Sequence, residues 1–169
     1  WALAEAEAGD DQFSVERIPS EGPQHRVRIS RPFYLGKHEV TQAQWETVMG
    51  SNPSQFNDDS SHPVEQVSWD DVQQFVAKLD EASGQQGMEF ALPIEAQWEY
   101  ACRAGTTTSW HSGEKSDTLE SVAWFHANAG GRPRPVGGLR ENAWGLHDVY
   151  GNVWKWCADR FAADYYARA

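Results

Sequence analysis

Residues 106–146 read TTTSWHSGEKSDTLESVAWFHANAGGRPRPVGGLRENAWGL, with neither the alternation of a strand nor the three-to-four spacing of a helix. Coil of that length inside a compact domain is either functional or packed by its own side chains. Trp110, Trp124 and Trp144 recur through it between Gly, Ser, Asn and Pro, and the whole chain carries nine tryptophans in 169 residues. An indole buries roughly 150 to 250 Å² and needs a partner for its ring N–H. Aromatic bulk is therefore expected to hold the irregular half in a fixed shape, in a fold with few regular elements and long, ordered loops.

The length suits one domain with a single sizeable core, which needs no disulfide or metal to staple it. Acidic residues outnumber basic ones by 25 to 14, a net charge of −11. That charge repels phosphate backbones and anionic lipid, so nucleic acid and membrane surfaces are not expected partners. No apolar run approaches the ~20 residues that cross a bilayer. The opening WALAEAEAGDDQF lacks the basic and apolar zones of a signal peptide. The chain is expected to be soluble, and cytoplasmic rather than secreted. Cys102 and Cys157, 55 positions apart, have no metal-ligand spacing and are read as buried free thiols.

Residues 1–22 have little periodicity and read as a lead-in or linker, with one domain over 23–169. HRVRIS sets Val27 and Ile29 against Arg26 and Arg28, the mark of a half-buried strand, and PFYLGKHEV continues as a second extended run. Thr41 with Gln44 forms a capping-box pattern that closes on Gly50, so a helix is predicted with Trp45, Val48 and Met49 inward. SNPSQFNDDSSHP is turn chemistry, rich in Asn, Pro and Asp. Ser68 caps a second helix, in which Asp70 and Asp71 suit the dipole and Val72, Phe75, Val76 and Leu79 form one stripe ending at Gly84. MEFAL alternates Met88, Phe90 and Leu92 as a short strand. Pro93 then starts a third helix, with Ile94, Trp98, Ala101 and Cys102 on one face and Gly105 as terminator.

Four strings in order carry a family resemblance: EGPQHRVRISRPFYLGKHEVTQAQWETVMGSNPSQF, HPVEQVSWDDVQQFVAKL, ALPIEAQWEYACRAGTTT and NAWGLHDVYGNVWKWCADRF. Across Glu21 to Tyr166 the chain resembles the sulfatase-modifying-factor domain, the family of the formylglycine-generating enzyme. The resemblance implies an α+β fold of the C-type-lectin kind, with few short strands, about three helices and much ordered coil. It also implies that the C-terminal part of the family domain is missing. Some members oxidise a sulfatase cysteine to formylglycine with copper held by two thiolates, and others display ligands, so fold alone does not assign function. In the copper enzymes that pair follows a GGSW-like strand. Cys102 and Cys157 match neither its position nor its spacing, so no catalytic residue is expected here, and copper would need a cysteine pair beyond residue 169.

The stretch GLHDVYGNVWKWCADRF, Gly145 to Phe161, resembles a family loop that wraps calcium. On that resemblance Asp148 would supply a side-chain oxygen and Gly151 and Val153 carbonyls, because calcium requires several oxygens. Lys155 stands where calcium-binding members have an acidic residue, and an ammonium there has no lone pair to offer and could itself take the cation's place. Trp154 is the leading candidate to face a ligand, since the family's groove borders that position. Trp110, Trp124, His111 and His126 lie in the long coil as candidates for lining a pocket, and no two histidines have a helical metal spacing. Arg132, Arg134 and Arg140 read as a loop locked onto the domain's own carboxylates. The sequence thus supports a non-catalytic module that binds a protein or peptide ligand, or serves a fused upstream domain. The alternative is the N-terminal part of a copper-dependent formylglycine-generating oxidase.

Overall fold

The computed structural model describes residues 25–84, 87, 89–162 and 164. The predicted lead-in over 1–22, Met88 of the predicted third strand, and residues 165–169 lie outside that set.

Helix α1, Gln42–Met49, begins where the sequence says it should. Thr41 Oγ1 accepts the Gln44 N–H, Gln44 Oε1 accepts the Thr41 N–H, and Gly50 ends the helix at φ 84°. Helix α2, Trp69–Ser83, repeats the device, with Ser68 and Asp71 capping each other and Gly84 left-handed at φ 56°. The two helices meet through Trp45 and Phe75, whose rings stack at 4.8 Å and 6°. Both side chains are buried, so this pair joins offset stacking to full burial. Between them the 51–63 loop packs on Gln42. Its amide donates to the Phe56 carbonyl at 2.9 Å and the Pro63 carbonyl at 3.2 Å, and its oxygen accepts from Asn52 at 2.8 Å. A glutamine only 1% exposed is tolerated because these bonds replace water.

Helix α3, Glu95–Arg103, places Ala101 and Cys102 in a core with Leu146 and Val149, and Trp98 packs against them. Ile94, expected on that face, is instead 42% exposed. It precedes the first helical residue in extended backbone, where the Gln97 side chain accepts its N–H at 3.0 Å, so its side chain falls outside the helical stripe. The helix ends on Ala104, which takes φ 44° one residue before Gly105.

The expected strands do not form among the described residues. Residues 25–40 form no strand and bend at 31 and at 37–38, and Val27 is 50% exposed. Their backbone groups bond to loops instead: the Val40 carbonyl accepts from Val64 at 2.9 Å and the Lys37 carbonyl from His147 at 2.9 Å. Residues 89–92 behave alike. Phe90 is 43% exposed, and its N–H is taken by Asp80 Oδ1 at 2.8 Å. Alternation requires an extended, half-covered chain, but it names no neighbour for the ladder.

The long coil holds two short helical pieces the pattern does not announce, a 3-10 turn at Ser116–Ser121 and α4 at His126–Ala129. They carry a second core of Trp110, Leu119, Val122 and Ala123, with Phe125 and Tyr150 against it. Indoles do less of this packing than expected. Trp110 is 2% exposed, but Trp144 and Trp156 are each 48% exposed and Trp154 is 93% exposed.

A buried amide ties the coil to α3. Asn142 donates to the Ala101 and Cys102 carbonyls at 2.8 and 3.3 Å and accepts from the Trp144 and Leu146 N–H groups at 2.9 and 3.1 Å. Stranding buried partners costs about 1 to 3 kcal/mol, so Asn142→Ala is expected to lower the unfolding free energy by about 2 to 3 kcal/mol in urea titrations. A loss well under 1 kcal/mol would contradict this account.

Candidate functional site

Residues 148–156 form a loop whose backbone is set by unusual conformations and close approach. Asp148 and Asn152 sit at φ 57° and 70°, where short polar side chains are the tolerated non-glycine residues. At Gly151 an added Cβ would stand 2.1 Å from the Trp124 carbonyl oxygen, so only glycine fits. Asn152 then stitches three segments together. Its N–H donates to the Trp124 carbonyl at 2.8 Å, its Oδ1 accepts the Arg134 N–H at 2.9 Å, and its Nδ2 donates to Glu39 Oε2 at 2.8 Å.

Lys155 sits at the centre. Its ammonium donates to the carbonyls of Gly151 and Val153, the latter at 2.9 Å, and reaches Glu39 Oε1 at 2.6 Å. The three donors of an ammonium thus meet three oxygens. Glu39 also accepts the Val153 N–H at 3.3 Å. Burial pushes the Glu39 carboxyl above its ordinary value, Lys155 pulls it back, and the charge of Asp148 adds to the rise. Glu39 was not singled out from the sequence. A lone acid in an extended segment gives no signal when its partners lie more than a hundred positions away.

Asp148 is 1% exposed; Oδ2 accepts the Gly137 N–H at 2.7 Å and Oδ1 has no partner among the described residues. The carbonyls of Gly151 and Val153 are already turned onto Lys155. This oxygen set does not fit calcium, which would have to share its cradle with a fixed positive charge.

The other candidates scatter. Trp154 projects almost wholly into solvent, His126 is exposed on α4, and Trp110 is enclosed in the coil core. Trp124 is half-buried beneath the Arg134 guanidinium, 5.7 Å from its ring, with its indole N–H unpartnered among the described residues. His111 stacks on Tyr150 at 5.3 Å, and burial lowers its pKa. Arg132 pairs with Asp58 and lies over Phe56, and Arg140 reaches the Ser121 hydroxyl at 3.5 Å.

The thiols do not fit copper. Cys102 is buried, its Sγ donates to the Val149 carbonyl at 3.7 Å, and burial pushes its pKa up to about 12. Cys157 is half-buried and raised to about 11 by burial and by Asp159 and Glu95. A metal-ligating cysteine must be a thiolate, which both environments oppose.

Comparison with known proteins gives a consistent outcome. The profile of the Sulfatase-modifying factor enzyme 1-like domain matches residues 5–168. A chaperone protein LppX of Paenibacillus barcinonensis is 30% identical over 177 residues, covering 74% of this chain and 61% of that protein. A formylglycine-generating enzyme of Mus musculus is 30% identical over 177 residues, covering 93% of this chain and 43% of the enzyme. The solved structure of PvdO from Pseudomonas aeruginosa superposes with a TM-score of 0.73 at 26% identity, covering 86% of this chain and 63% of that one. The chain therefore spans less than two thirds of the length of each.

Removing one partner from a buried ion pair leaves the other uncompensated, so Lys155→Met is expected to cost about 3 kcal/mol in urea titrations, with no recovery on adding calcium. For Glu39 the folded pKa lies above the ordinary 4.5, so its contribution is full below that pH and is lost as pH rises through the raised value. The melting temperature of the wild type relative to Glu39→Gln should therefore fall between pH 4.5 and neutrality. A difference that grows with pH would refute the assignment.

Proposed function

This chain belongs to the Sulfatase-modifying factor enzyme 1-like domain family, and from that premise we propose that it acts as a non-catalytic module of lectin-like fold that binds a protein or peptide ligand. The observation that carries the reading is Trp154, 93% exposed directly after a stretch whose Gly151 and Val153 carbonyls are held by the next residue, Lys155. A large indole left in water on a fixed backbone gives a binder apolar area at little cost in ordering. The neighbouring lysine makes the loop self-sufficient, because its positive charge is covalently attached. Two thiols held protonated by burial add support, since neither is disposed to grip a soft metal.

Similarity to the mouse formylglycine-generating enzyme favours a second reading, in which this portion scaffolds a copper-dependent oxidase acting on sulfatase cysteines. Mass spectrometry separates the two. The full-length protein that carries this chain is incubated aerobically with copper, reductant and a cysteine-containing sulfatase peptide, because the second reading places its cysteine pair beyond residue 169, and the peptide is expected to keep its cysteine. Conversion to formylglycine above the rate in a no-protein control would overturn the binding-module reading.

A further inference from the structure

A shallow trough of about 280 Å³ runs between one face of α2 and the extended residues 89–92. Its floor is apolar, with Val76 and Ala77 from the helix and Phe90 and Leu92 from the facing segment. Trp69 stands at one end, 38% exposed, with its indole N–H committed to the Cys157 carbonyl at 3.1 Å. A trough so open does not enclose a small molecule, which needs most of its surface buried.

Two properties of its walls specify what does fit. The first is the backbone. Residues 89–92 are extended, and the amides and carbonyls of Ala91 and Leu92 make no hydrogen bond among the described residues. Phe90 N–H is satisfied by Asp80, and the Pro93 carbonyl by Ala158 N–H at 2.9 Å, so the open edge is short and bounded at both ends. Such an edge is completed by another extended chain. The second is charge. Asp80 and Glu89 line the trough, and no lysine or arginine does. Past the walls Asp70 follows Trp69 and Asp159 follows Ala158, against Lys78 after Ala77 and Arg160 after Asp159, in a chain of net charge −11.

We propose that this trough is a docking site for a basic, extended peptide segment of a partner protein. The segment adds its backbone to the edge at Ala91 and Leu92. Its apolar side chains enter between Ala77 and Leu92, and its Lys or Arg side chains meet Glu89 and the face of Trp69. The site does not depend on the role assigned to Trp154, and it would serve either reading of the family membership.

Fluorescence anisotropy at low salt with a labelled short peptide alternating lysine and leucine tests the proposal, and the same peptide with glutamate in place of lysine is the control. Ala77 and Glu89 are exposed, so Ala77→Arg and Glu89→Lys alter the trough without touching the core. Saturable binding of the lysine peptide is expected, weakened about tenfold or more by each variant at unchanged melting temperature, and unaffected by Trp154→Ala. Absence of saturable binding, equal binding of the glutamate peptide, or affinity that neither trough variant changes would overturn it. Binding lost with Trp154→Ala but kept in the trough variants would also overturn it, assigning the peptide to the Trp154 loop instead.

Discussion

One ammonium organises the 148–156 loop of this chain. Lys155 reaches back over its own loop to the Gly151 and Val153 carbonyls and across to Glu39 on the opposite segment. Carbonyls that converge without a cation repel one another, so a loop of this curvature needs a positive charge at its centre. A lysine supplies it without a binding equilibrium, and its donors match the number of oxygens presented. The same contact holds residue 39 against residues 151–155, which no secondary structure links. Around it Asp148 and Asn152 take left-handed backbone, and Gly151 is forced by the close approach of the Trp124 carbonyl oxygen.

The arrangement leaves a buried imbalance. Glu39 and Asp148 are both nearly enclosed, and the single positive charge of Lys155 pairs with Glu39. The burial that strengthens the contact also lifts the Glu39 carboxyl toward protonation. The loop is therefore tied by a bond whose strength depends on one proton, in a place where replacing both partners by apolar groups could be equally stable. What the charges add is direction: this register of the loop gives the Lys155 ammonium three oxygens, while Asp148 Oδ1 is left without a partner among the described residues.

The helices were legible because their signals are local. Thr41 with Gln44 and Gly50, and Ser68 with Asp71 and Gly84, write both ends of a helix within a few residues, and the structure uses each as written. The family was legible for a related reason, since long strings preserve such local rules in order. Strands were not, because Val27 and Ile29 state an extended conformation while the partner that would complete a ladder is specified elsewhere or not at all. Ile94 was misplaced by one residue of helix boundary, enough to turn it from core to surface. In the coil, aliphatic Leu119, Val122 and Ala123 carry packing that the eye assigns to tryptophan, because a large ring is conspicuous and a short 3-10 turn is not. In the loop, Lys155 was read from its position in the string, whereas Glu39 became visible only through contacts across the whole chain.

The exposed loop and the acidic trough share one stretch of backbone. After Lys155, Trp156 donates its indole N–H to the Val67 carbonyl at 3.1 Å, and Trp69 donates its own to the Cys157 carbonyl at 3.1 Å. These reciprocal bonds clamp residues 156–157 onto the start of α2, and the next residue, Ala158, forms a wall of the trough. A clamp between two short segments loses strength if either end is free to swing, because each bond then has to order its partner as well as hold it. Fixing Lys155 to Glu39 removes that freedom on one side, and the Ala158 N–H bond to the Pro93 carbonyl removes it on the other. The two partly exposed indoles, Trp69 at the start of α2 and Trp156 in the tail, therefore act less as core than as struts, each with its N–H engaged while part of its ring stays in water.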